Sequence, residues 1–190
     1  MPVIPRVTDE WTVADLDEFV EGRGDDGLSY ELLDGLLLVC PAPVPRHQRV
    51  VGELYRVLVD ACPPGVEVLF APLDWRPDER TSLQPDLLAF RHEDARERHI
   101  TGALLLAVEV LSPSTRRKDL VLKYAKYADA GVLNYWVVDP VTPSLVAYRL
   151  QDGAYVEVAA GEGETEVRVP GDLAVVVRPS ALVASPAQTR

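Results

Sequence analysis

The run at residues 103–111, ALLLAVEVL, constrains the fold more than any other stretch of the chain. Apolar residues follow one another without alternation, as in a strand buried on both faces, and a single carboxylate, Glu109, interrupts them. Strand side chains alternate, so Glu109 shares its face with Ala107 and Leu111 while Val108 and Val110 point the other way. Both faces are apolar, and an ionised carboxylate there costs several kcal/mol unless a partner or a bound cation compensates it. The rest of the sequence must supply that compensation.

The 190 residues suffice for one domain with its own core, expected to span the chain with its packed part at about residues 10–180. No charged n-region followed by an apolar h-region opens the chain, and no apolar run approaches the roughly 20 residues needed to cross a bilayer, so a cytoplasmic protein with no membrane partner is expected. Cys40 and Cys62 have neither metal-ligand nor disulfide spacing and read as ordinary thiols. A net charge of −11 argues against a broad basic surface that would adhere to nucleic acid regardless of sequence. The same charge suits a site where clustered carboxylates gather a divalent cation.

The segment around WTVADLDEFVEG reads as a short helix capped near Thr12, preceded by an arm, and YELLDGLLLV as a hairpin turning at Asp34-Gly35. Val50, Val51, Leu54, Val57 and Leu58 recur at helical spacing in RHQRVVGELYRVLVDAC. VEVLFAPLDW, QPDLLAF and ALLLAVEVL read as three strands. STRRKDLVLKYAKYADAG reads as a helix stopped by Gly131, NYWVVDP as a buried strand, and SLVAYRLQDGAYVEVAA as a hairpin around Asp152-Gly153. The tail VPGDLAVVVRPSALV adds an edge strand, with frayed residues after it. This order predicts an α/β (α+β) domain with a central mixed sheet, flanking helices and a C-terminal β-hairpin.

The strand before Glu109 carries a second misplaced acid, Asp86, directly after Pro85. If the two strands pair, the acids can lie about 5 Å apart, and two anions that close call for a cation. Mg²⁺, or Mn²⁺ in its place, takes oxygen ligands: Asp86 and Glu109, with the Val110 carbonyl as a third. Such a site activates water and polarises a phosphodiester, and a cationic side chain would stabilise the developing charge. Leu111 occupies the same-face position two residues on, so the cation must come from elsewhere. On the following helix Leu120, Val121, Tyr124, Ala125, Tyr127 and Ala128 form the expected apolar arc. Lys123 lies at its edge and Lys126 further into the polar side.

QPDLLAF followed by AVEVLSPSTRRKDLVLKYAKYADAGVLNYWVVDP resembles the Uma2 family of restriction-endonuclease-like proteins, within the PD-(D/E)XK nuclease superfamily; YELLDGLLL and PAPVPRHQRVVGEL are similar to that family's opening segments. The resemblance implies a restriction-endonuclease-like αβββαβ core. It implies that Asp86 and Glu109 are the metal-binding acids, that Lys123 is a catalytic lysine carried on the helix, and that Glu31 is a further acid of the site. His47 and Gln48 fall where the family often has polar residues on the second helix. Position 111 is Leu where the superfamily usually has lysine, and Asn134 stands where the family commonly has Glu.

Each of these residues also has a plainer role open to it. Lys123 and Asp119 could form an exposed helix pair, Glu31 could be a solvated strand end, and His47 a helix-start residue. The basic run Arg116, Arg117 and Lys118 opens a helix, where phosphate contacts are favoured. Together the readings lead to a Mg²⁺- or Mn²⁺-dependent endonuclease acting on DNA. A catalytically silent nuclease-fold module in binding or regulation is the alternative, and a structural subunit of an oligomer a third. Restriction-type enzymes often act as dimers, so the resemblance suggests a homodimer.

Overall fold

The computed structural model describes residues 10–24 and 26–184. The expected arm and the final residues lie outside that range. Helix α1 (Val13–Glu21) begins at a reciprocal cap: the Thr12 hydroxyl accepts the Asp15 N–H and the Asp15 carboxylate accepts the Thr12 N–H. Strands β1 (Leu28–Leu33) and β2 (Leu36–Pro41) form the expected hairpin. Asp34 and Gly35 turn it with φ of 49° and 83°, the left-handed conformation that a two-residue hairpin turn demands.

Helix α2 (Pro45–Ala61) follows, then β3 (Val66–Phe70), β4 (Asp74–Asp78), β5 (Thr81–Leu83), β6 (Leu87–Arg91), β7 (His99–Ile100) and β8 (Leu106–Val110). A π-helical turn, Lys118–Lys123, runs directly into α3 (Tyr124–Asp129). The chain ends with β9 (Asn134–Asp139), β10 (Ser144–Gln151), β11 (Ala154–Glu162), β12 (Val167–Val169), β13 (Val175–Val177) and α4 (Pro179–Val183).

A six-stranded sheet has the order β11-β10-β9-β8-β6-β3, with β8 and β9 parallel and its other neighbours antiparallel. A five-stranded sheet runs β2-β1-β5-β4-β7. Strand β8 is central and buried throughout, as its unalternating composition requires. One of its faces, with Val108 and Val110, packs with Leu87, Trp136 and Val138 against Val50, Val51, Leu54 and Leu58 of α2. The other, with Ala107, joins Leu88, Phe90, Tyr135 and Val137 and meets Tyr127 of α3 and Trp75 of β4. Glu109 belongs to this second face.

Three expectations are corrected. VEVLFAPLDW is not one strand: β3 joins the six-stranded sheet and β4 the five-stranded one, divided at Pro72, whose missing N–H cannot continue a ladder. The tail does not add an edge strand; β12 and β13 pair with each other and turn Val167, Val169, Val175 and Val177 into the core beside α2. The apolar arc before α3 holds only in its second half. Tyr127 is buried with Tyr124 and Ala128 packed beside it, but Leu120 and Val121 are exposed while Asp119 and Lys123 are buried. A turn closed by i→i+5 bonds rotates less per residue than the roughly 100° assumed for an α-helix, so Asp119 and Lys123 stay in line with Tyr127 on the sheet-facing side.

Candidate active site

The register of β6 on β8 sets Leu87 opposite Val108 and Leu88 opposite Ala107; one step further it aligns Asp86 with Glu109. Asp86 Oδ2 accepts the Val110 N–H at 2.7 Å and lies 3.2 Å from His47 Nε2, which α2 brings over the end of the strand. The hairpin strand β1 contributes Glu31, whose Oε1 accepts the Gln84 N–H at 2.7 Å. The π-helical turn delivers Lys123 from the opposite side. Its Nζ donates to Glu31 Oε1 at 2.9 Å and to Glu109 Oε1 at 3.0 Å, with Asp119 Oδ1 at 4.0 Å. Tyr127 Oη, one turn further along, donates to the same Glu109 Oε1 at 2.7 Å.

Glu31, Glu109 and Lys123 are 3%, 3% and 4% exposed, yet all three line a cavity of about 500 Å³. His47, Gln48, Asp86 and Val110 line it too. Lys126 lies elsewhere, paired with Asp34 at 2.6 Å and Asp78 at 2.8 Å, so of the two lysines weighed from the sequence only Lys123 reaches the acids.

Burial pushes the Glu109 carboxyl well above the ordinary carboxylate range; Lys123 opposes this, but Asp119, Asp86 and Glu31 add to it. Burial alone would lower Lys123, yet Glu109, Glu31 and Asp119 outweigh it and hold the ammonium charged. Burial raises Asp119 to about 6. For His47, burial acts downward, and the hydrogen bond and charge of Asp86 overcome it, assisted by the Val110 backbone. Glu31, Glu109 and Asp119 thus crowd around one buried ammonium, and the crowding favours a proton, or a second cation, at Glu109.

That donor set fits a hard divalent ion. Oδ2 of Asp86 and Oε1 of Glu109 are engaged, whereas Asp86 Oδ1 and Glu109 Oε2 take no hydrogen bond from the described residues. Among the described residues no group of three or more His, Cys, Asp and Glu side chains is arranged to hold a metal ion. An ion held by one or two carboxylates, with water and substrate oxygens completing its shell, needs no such group.

The basic run expected to contact phosphate lies at the edge of the cavity, with Lys118 Nζ 3.7 Å from Sγ of the lining residue Cys40. Arg116 pairs with Asp139 at 2.5 Å, Lys118 Nζ donates to the Val39 carbonyl at 3.3 Å, and Arg117 is exposed; none of the three lines the cavity. Asp139, at the end of β9, captures Arg116 because β9 lies beside β8. Tyr127 was missed as a polar partner because its ring reads as core. Its signal was the four-residue spacing from Lys123. Cys40 also lines the cavity, with Sγ 3.8 Å from Glu31 Oε2.

The mixed sheet, with acids on adjacent strands and a helix-borne lysine above them, has a restriction-endonuclease-like fold. Residues 16–178 match the model of the Uma2 family, described as "Putative restriction endonuclease". The chain belongs to the Uma2 family. Among solved structures it is similar to a "putative nuclease belonging to DUF820" from Anabaena variabilis, with a TM-score of 0.66 and 19% identity over 88% of this chain and 96% of that one. No curated protein matches the chain. Among the described residues no helix is long and apolar enough to cross a membrane.

Proposed function

We propose that the protein is a cytoplasmic, Mg²⁺- or Mn²⁺-dependent endonuclease that hydrolyses DNA phosphodiester bonds. The observation that carries this reading is the convergence of Asp86, Glu109, Glu31 and Lys123, from the residue before β6, two strands and one helical turn, on a single cavity. Asp86 and Glu109 would hold the ion, with the Val110 carbonyl as a third oxygen and Glu31 as a further acid of the site, engaged by Lys123 and the Gln84 N–H. What the ion supplies when bound is a water of lowered pKa and a polarised phosphodiester. Lys123, kept charged by its neighbours, is placed to orient the attacking water or stabilise negative charge on the phosphoryl oxygens. Tyr127 and Lys123 fix the Glu109 carboxylate through one oxygen and so orient the other.

Supercoiled plasmid incubated with Mg²⁺, Mn²⁺ or EDTA tests the reading. Nicking that requires the metal and disappears in Asp86→Ala, Glu109→Ala and Lys123→Ala supports it. Nicking that survives all three substitutions rejects this site. The charge of −11, with Arg46 and Lys123 as the cavity's only lining Lys or Arg residues among those described, favours a second reading: a catalytically silent module. That module would leave plasmid intact in every metal. A homodimer would place two such sites on opposite strands, and sedimentation equilibrium would establish the stoichiometry.

A further inference from the structure

Resting on the nuclease reading, we propose that the substrate is an unpaired DNA strand, such as a single strand, flap or overhang, and that the cavity rim recognises its bases. A duplex is gripped through its phosphates, and a protein that follows one needs several cations along its path. This rim offers few. Arg46 is exposed there without an ion pair among the described residues, Lys118 Nζ reaches the edge at Cys40 Sγ while donating to the Val39 carbonyl, Lys123 is committed to the acids below, and Arg116 and Arg117 do not line the cavity.

What the rim offers instead is apolar. Pro41, Pro43, Val44, Pro113 and Val141 line the cavity and are exposed, Val44 at 62% and Val141 at 64%. Stacked and paired bases keep their faces to themselves; unpaired bases expose theirs, and covering them with aliphatic side chains removes apolar surface from water on both sides. The reacting groups are also recessed, with Glu31, Glu109 and Lys123 at most 4% exposed. A phosphate must enter the cavity to reach them, which a flexible single strand does far more easily than a stiff duplex.

The test uses 5′-labelled 30-mers of one sequence with Mn²⁺: single-stranded, blunt duplex, and duplex with an overhang. The single strand and the overhang should be cut at least tenfold faster than the blunt duplex. Binding followed by anisotropy in EDTA should favour the single strand, with a log–log salt slope between about −0.7 and −1.4, as one or two phosphate contacts require. The double variant Val44→Ser/Val141→Ser should weaken single-strand binding about tenfold, with Val156→Ser on β11 as a control. Val44 is the N-cap of α2 and makes no side-chain cap bond, so serine there supports the helix and the thermal midpoint should hold. Equal cutting of blunt duplex, a slope steeper than about −5 or an unaffected double variant would overturn the proposal while leaving the nuclease reading intact. If nothing is cut, the nuclease reading fails, and the binding measurements still decide the preference. A wild type that binds none of the three DNAs overturns the proposal.

Discussion

Lys123 and Glu31 lie 92 positions apart in the chain and meet at 2.9 Å, with side chains 5% and 4% exposed. A buried ion pair of this kind is a weak source of net stability, but removing one partner strands the other in a low-dielectric interior. Here the stranded partners would be two, because Glu109 shares the same ammonium.

Lys123→Ala should therefore destabilise the metal-free protein by about 3–5 kcal/mol in urea unfolding, and millimolar Mn²⁺ should recover part of that loss by replacing the missing charge. An effect below 1 kcal/mol would mean that the acids protonate at no cost or that water reaches them freely.

Tyr127→Phe deletes one hydrogen bond to Glu109 Oε1 while keeping the ring against Trp75 and Tyr135. The expected stability loss is about 1–3 kcal/mol, since a buried carboxylate loses a donor. Mn²⁺ affinity measured by calorimetry should fall with it, because the carboxylate is no longer held in one orientation. Unchanged affinity would reduce Tyr127 to a packing residue.

Asp119 gives a pH signature. Burial raises its carboxyl to about 6 from an ordinary 3.8, against the opposing pull of Lys123 and Thr115. The native state therefore binds the proton more tightly than the unfolded chain, and this contribution is present below about pH 4 and lost as pH rises to about 6. In EDTA, wild-type stability relative to Asp119→Asn should fall by about 3 kcal/mol across that window and level off above it. A difference that is flat or rises with pH contradicts the assignment.

Arg117→Glu should leave DNA binding and cleavage within about twofold of wild type, since its side chain lies outside the cavity lining. Arg116→Ala should cost at most about 1 kcal/mol, because Arg116 is 54% exposed and its pairing with Asp139 is screened. A large loss of binding in either variant would place phosphate outside the cavity.

Much of this arrangement was legible in the sequence because Glu109 violates the composition of its own strand, and Asp86 sits where antiparallel pairing brings it opposite. Hairpin turns at Asp34-Gly35 and Asp152-Gly153 were equally plain, since few sequences tolerate two consecutive positive φ values. Lys123 was reached partly by resemblance and partly from an arc whose first residues, Leu120 and Val121, are exposed. Periodicity assumes one winding, and nothing in KDLVLK announces a wider one. The Glu31 side chain meets Lys123 only through the three-dimensional approach of β1 to the π-helical turn, a long-range contact that no local pattern encodes. Strands β5 and β7, three and two residues long, are too short to leave a periodic trace.

The widened turn at Lys118–Lys123 holds one residue more than an α-helical span of the same rotation would. Losing one residue among Leu120, Val121 and Leu122 would let it rewind as an ordinary α-helix, and five residues at about 100° each cover roughly the angle that six cover in the wider winding. Lys123 would keep its place one turn before Tyr127, which is anchored in the aromatic core. The spare residue is carried on the solvent side, where a single-codon deletion would leave the sheet-facing side chains pointing as they do now.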